Sequence, residues 1–131
     1  MPLLMLLAVL TNQLHEATTY SEAKKAYVVI EEIEGILDRK KGELPVKLPK
    51  ELYRIAWCES GLIHERNDII TTSRTKDYGL MQINRGWIDD AQSMGLDIFE
   101  KRDNILFATY LYEKNKLNDW RASRSCWSKL K

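Results

Sequence analysis

Two carboxylates, Glu59 and Asp77, stand eighteen residues apart, each in a short cluster of polar groups. The first opens Glu59-Ser60-Gly61. The second opens Asp77-Tyr78-Gly79-Leu80-Met81-Gln82-Ile83-Asn84. Glycoside cleavage needs one carboxylic acid to protonate the leaving oxygen and a second group to steady, or attack, the positive sugar. Amide side chains such as Gln82 and Asn84 suit sugar hydroxyls and acetamide groups. Glu59 falls in the last turn of an expected helix, because Gly61 is a good stop signal. A helix carboxy end carries partial negative charge, so a carboxylic acid there keeps its proton more tightly. Apolar neighbours such as Trp57, Ile83 and Trp87 would add desolvation in the same direction, as a general acid working near neutral pH requires. The plain alternative for Glu59 is a surface glutamate at a helix end. For Asp77 it is a turn residue bonding its own backbone beside Gly79.

The elements that must position these groups are legible from periodicity. Residues 18–41 read as a helix with Ser21 as N-cap and Ala26, Val29, Ile30, Ile33 and Leu37 at helical spacing. Gly42 to Pro49 is a linker with two prolines. It separates an N-terminal helical region, residues 1–48, from a core over residues 49–131. Pro49 opens the next helix, whose inner stripe is Leu52, Ile55 and Ala56. His64 to Lys76 reads as a loop or short hairpin. A further helix runs from Gly86-Trp87 to Met94, with Gly95 ending it. Another spans Arg102 to Lys116, with Ile105, Leu106, Ala108, Tyr110 and Leu111 mostly inward. The tail from Asn118 onward holds a short helix.

The stretch from Ile55 to Asn84 resembles the lysozyme-like superfamily, which includes animal-type lysozymes and bacterial lytic transglycosylases. Asp77-Tyr78-Gly79 is similar to the lysozyme form of the turn. Leu80-Met81-Gln82-Ile83-Asn84 is closer to the small secreted transglycosylases. Asn104-Ile105, Ala108, Tyr110 and Leu111 resemble the helix that follows in both. Residues 1–45 carry no such resemblance. The Glu59-to-Gly79 spacing and the tail from Arg121 to Trp127 depart from both groups. The resemblance implies a mainly α (α+β) lysozyme-like fold, with helices around a cleft and a short β-hairpin or loop. It implies cleavage of the β-1,4 bond between N-acetylmuramic acid and N-acetylglucosamine in peptidoglycan. The expected enzyme is a lytic transglycosylase with Glu59 as acid and base. The alternatives are a hydrolytic lysozyme using Glu59 and Asp77, and a non-catalytic glycan-binding domain on the same fold.

Around the two carboxylates, the expected substrate-binding residues are Ser60, Tyr78, Gln82, Asn84, Trp87, Asn104 and Tyr110. Each also has a structural role to weigh. Amides tie loops together, Ser60 can cap a turn, and aromatic side chains are more often core than sugar platforms. Cys58 and Cys126 are the only cysteines, so one bridge is the most they can form. They are either that bridge or two buried thiols. A Cys before the Glu and a Cys-Trp near the end also occur in some secreted lysozyme-like proteins. A bridge implies an oxidising compartment, hence a secreted or cell-envelope location.

Charge and composition exclude other classes. Twenty Lys and Arg against nineteen Asp and Glu leave a net charge of +1, unlike a nucleic-acid-binding domain. His15 and His64 are isolated, without metal-site spacing, and are expected at the surface. No cofactor and no metal are implied, and a monomer is expected. The apolar run Leu3 to Leu10 is too short to span a bilayer. It reads equally as the hydrophobic part of a secretion signal, with residues 1–10 its remnant, or as a buried helix.

Overall fold

A computed structural model describes residues 2–131. The chain divides into two compact units, Met1–Lys47 and Leu48–Lys131.

The first unit is a pair of helices, α1 (Leu3–Glu16) and α2 (Tyr20–Lys40). The apolar run is helical, but it is not a buried helix. Leu14 is the buried residue of α1, while Leu4, Met5 and Val9 are exposed. The N-cap of α2 is Thr19, not Ser21. Thr19 is extended, and its Oγ1 accepts the Glu22 N–H at 3.2 Å. An N-cap must leave helical φ/ψ while its side chain takes an orphan donor, and Thr19 meets both conditions. On α2, Tyr27 is fully buried beside Ala26, Ile30 and Ile33, whereas Val29 faces out.

The second unit begins with a 3-10 turn, Lys50–Leu52, N-capped by Pro49, which runs into α3 (Tyr53–Ser60). Leu52, Ile55 and Ala56 are buried as their spacing requires. Gly61 ends α3 at φ 69°. A hairpin follows, β1 (Glu65–Arg66) with β2 (Ile69–Ile70). Its turn residues Asn67 and Asp68 both take positive φ, the conformation a tight two-residue hairpin needs and Asn and Asp tolerate. A second hairpin pairs β3 (Asp77–Tyr78) with β4 (Ile83–Asn84), in register Asp77 to Asn84 and Tyr78 to Ile83. Then come α4 (Ile88–Ser93), α5 (Lys101–Asn115), a 3-10 stretch (Asn118–Ser123) and α6 (Arg124–Trp127). The fold is mainly helical with two small antiparallel hairpins. The core of this unit is built from Leu52, Ile55, Leu62, Leu80, Met81, Ile83, Ile98, Phe107 and Leu111. Among the described residues, no helix is long and apolar enough to cross a membrane.

Candidate active site

The segment from Tyr78 to Met81 is held by its backbone. The Gly79 N–H donates to Thr71 O at 2.8 Å. The Leu80 N–H donates to His64 Nδ1 at 3.0 Å, and the Met81 N–H to Asn104 Oδ1 at 3.0 Å. Asn104 Nδ2 donates to Tyr78 O and Ile98 O. The carbonyls of Gly79, Leu80 and Met81 receive Gln82 Nε2, Ser60 Oγ and Trp120 Nε1. A buried backbone group without a partner is costly, so each of these ties is a fold requirement. Gly79 is required twice over. Its φ is +78°, and a Cβ there would lie 2.5 Å from both Asn104 Nδ2 and His64 Cε1.

This arrangement corrects part of the expected substrate-binding set. Asn104 is fully buried, and both ends of its amide are spent on backbone. Gln82 is buried and donates to Thr71 O and Gly79 O. The Ser60 hydroxyl is turned to Ala56 O and Leu80 O. These three side chains spend their hydrogen bonds on the protein's own backbone. His64 is likewise buried, not at the surface. Nδ1 must accept from Leu80, so Nε2 carries the hydrogen and donates to Phe99 O at 2.7 Å. Burial holds its pKa below the ordinary imidazole value and keeps the ring neutral. The remaining candidates stay accessible. Tyr78 is half-buried against Phe99, with ring centroids 4.8 Å apart. Trp87 and Tyr110 flank Phe107 at 5.8 and 5.6 Å. Asn84 is exposed, but its amide is engaged at both ends: Oδ1 accepts the Gly86 N–H, and Nδ2 donates to Thr75 O and Asp77 Oδ1.

The two carboxylates sit in contrasting surroundings. Glu59, in the last turn of α3, is partly buried, and desolvation pushes its pKa up. A hydrogen bond from Ser123 Oγ to Oε2, at 2.6 Å, opposes that rise, and the negative charge of Asp77 adds to it. Asp77 is partly desolvated, which works against ionisation, yet its hydrogen bonds outweigh this and hold its pKa low. Ser73 Oγ donates to Oδ2 at 2.6 Å, Thr75 Oγ1 donates to the same oxygen, and Asn84 Nδ2 donates to Oδ1 at 2.9 Å. Donors aimed at a carboxylate favour its charged form. One acid is thus inclined to keep its proton and the other to lose it, the pairing that acid-assisted bond cleavage uses.

Cys58 and Cys126 form a disulfide with Cα atoms 6.0 Å apart. It ties the residue before Glu59 to the C-terminal segment that carries Ser123. Sequence reasoning missed Ser123, Ser73 and Thr75. The signal for the last two was the run of hydroxyl residues just ahead of Asp77. For Ser123 it was a hydroxyl three residues before a cysteine able to bridge to the neighbour of Glu59. No protein-family model, curated protein or solved structure matches the chain.

Proposed function

We propose that this chain cleaves the β-1,4 bond between N-acetylmuramic acid and N-acetylglucosamine in peptidoglycan, acting as a lytic transglycosylase. The observation that carries the reading is the opposed environment of Glu59 and Asp77: desolvation raises the Glu59 pKa, while hydrogen bonds from Ser73, Thr75 and Asn84 hold that of Asp77 low. Glu59 donates its proton to the glycosidic oxygen as the bond to C1 breaks. The resulting carboxylate takes the proton of the muramic acid C6 hydroxyl, whose oxygen closes onto C1. The product is a 1,6-anhydro sugar, and Glu59 is protonated again. Ionised Asp77 stabilises the positive charge that develops at C1. Tyr78, Trp87 and Tyr110 are the side chains available to the glycan, while Asn84 is engaged in holding Asp77. The disulfide supports an oxidising, secreted or cell-envelope setting, and the chain works as a monomer.

A second reading, hydrolysis by a lysozyme, is favoured by one observation. The three donors on Asp77 fix a carboxylate near enough to act electrostatically on Glu59. In that case water attacks C1 in place of the C6 hydroxyl. Mass spectrometry of digested peptidoglycan separates the two. Anhydro ends, one water lighter than hydrolysed fragments, are expected, together with measurable activity in Asp77→Asn. Glu59→Gln is expected below about 1% of wild type, since acid catalysis is worth at least ~100-fold. Reducing muramic ends alone, with a dead Asp77→Asn, would assign hydrolysis. Activity surviving in Glu59→Gln would sink both readings.

A further inference from the structure

Ser123 is the last residue of the 3-10 stretch that precedes α6. Its segment is anchored on every side. Trp120 is buried and donates through Nε1 to Met81 O at 2.9 Å. Trp127 Nε1 donates to Trp120 O at 3.2 Å. Arg54 Nη1, from α3, donates to Leu130 O at 3.0 Å. The bridge from Cys126 to Cys58 fixes the same segment to the residue beside Glu59. The Ser123 hydroxyl has one hydrogen and two acceptors in reach, Glu59 Oε2 at 2.6 Å and Trp120 O at 3.1 Å. The shorter contact goes to the carboxyl oxygen and is a close O–H···O hydrogen bond, while the carbonyl of Trp120 is the more distant acceptor.

We propose that Ser123 is the positioning residue for Glu59, occupying Oε2 so that Oε1 is the oxygen that carries the proton to the leaving group and later removes one. The inference rests on the glycosidase reading and extends it to a residue outside the recognised motif. A carboxyl rotating freely about its last bond would offer either oxygen at varying angles, and proton transfer depends on heavy-atom geometry being held. With Oε2 tied, the acid keeps one orientation in both halves of the reaction. The disulfide and the two tryptophans hold the hydroxyl in place. Asp77, on the β3–β4 hairpin, is the charged group that bears on Glu59 alongside it.

The test compares Ser123→Thr with Ser123→Val in the full-length protein, two side chains of one shape that differ in the hydroxyl. Ser123→Val is expected to lower kcat on peptidoglycan about tenfold with KM unchanged, the loss of one hydrogen bond to a charged group. Ser123→Thr is expected to restore most of the rate. A carbon-13 NMR titration of the Glu59 carboxyl supplies a readout apart from turnover. The Val variant should titrate at higher pH than wild type, because a donor that favours the charged form is gone, and the basic limb of the pH–rate profile should move with it. Superimposable titrations and equal kcat in Thr and Val variants, alongside an inactive Glu59→Gln, would overturn the role of Ser123 alone. A Glu59→Gln protein of wild-type activity would overturn the glycosidase reading and the Ser123 role together.

Discussion

Glu59 illustrates how a site can be built at the expense of stability. Desolvation and the nearby Asp77 charge raise its pKa in the folded chain, and Ser123 only partly offsets them. Between the unfolded value, about 4.3, and the higher folded value, the native protein holds more protons than the unfolded one. The stability tied to this group is therefore fully present below the unfolded value and is lost as pH rises through the folded one. Glu59→Gln has no charge to desolvate, and its amide oxygen can still accept from Ser123. The expected outcome is an inactive protein that melts above wild type at pH 8 and at nearly the same temperature at pH 4. Thermal melts followed by circular dichroism at both pH values check this. A difference that did not grow with pH would show that Glu59 carries no such cost.

At the scale of elements, the β3–β4 hairpin is held by partners far away in sequence. His64, Asn104 and Trp120 reach it across separations of 16, 23 and 39 residues. Gly79 is where two of those partners, His64 and Asn104, press closest, and the position tests the idea. Gly79→Ala would place a left-handed φ on a residue with a Cβ, costing about 1–2 kcal/mol. It would also push that Cβ into Asn104 and His64, at about 1–3 kcal/mol for overpacking. A loss of about 2–5 kcal/mol in urea unfolding is expected, and a loss under about 0.5 kcal/mol would mean the hairpin yields freely. The same geometry explains what could be read beforehand. The end of α3 at Gly61 was legible because caps and stripes are local signals. The disulfide was legible as one of two alternatives for a single pair of cysteines. On α5, Ile105, Ala108 and Leu111 are buried as their spacing requires, but Phe107 takes the inward place expected of Leu106, which is partly exposed. Leu and Phe are both apolar, so composition could not choose between the two adjacent positions. The roles of Asn104, Gln82 and His64 were illegible for another reason. A polar side chain beside a motif looks the same whether it faces a ligand or a distant backbone group, and only the long-range packing decides.

At the scale of the molecule, each hydrogen bond named at the site joins residues within Leu48–Lys131. So does the disulfide. Both carboxylates, the donors that tune them and the core beneath them belong to that unit. A segment of this size lies just above the range, roughly 70–80 residues, below which a single core rarely suffices. The Cys58–Cys126 bridge closes a separation of 68 residues. In the chain-entropy model such a loop contributes about 4 kcal/mol by restricting the unfolded state. The core and the bridge together predict that residues 48–131 fold alone when oxidised, with a cooperative thermal transition. The Glu59 titration should match that of the full chain, because the groups that set it are retained. Under reducing conditions the same fragment should melt at markedly lower temperature. The four tryptophans, Trp57 to Trp127, all lie in the fragment, so their fluorescence can follow unfolding alongside circular dichroism. An oxidised fragment without a cooperative transition would show that Met1–Lys47 is needed for the second unit to fold. A folded fragment with a displaced Glu59 titration would show that the first unit helps tune the acid.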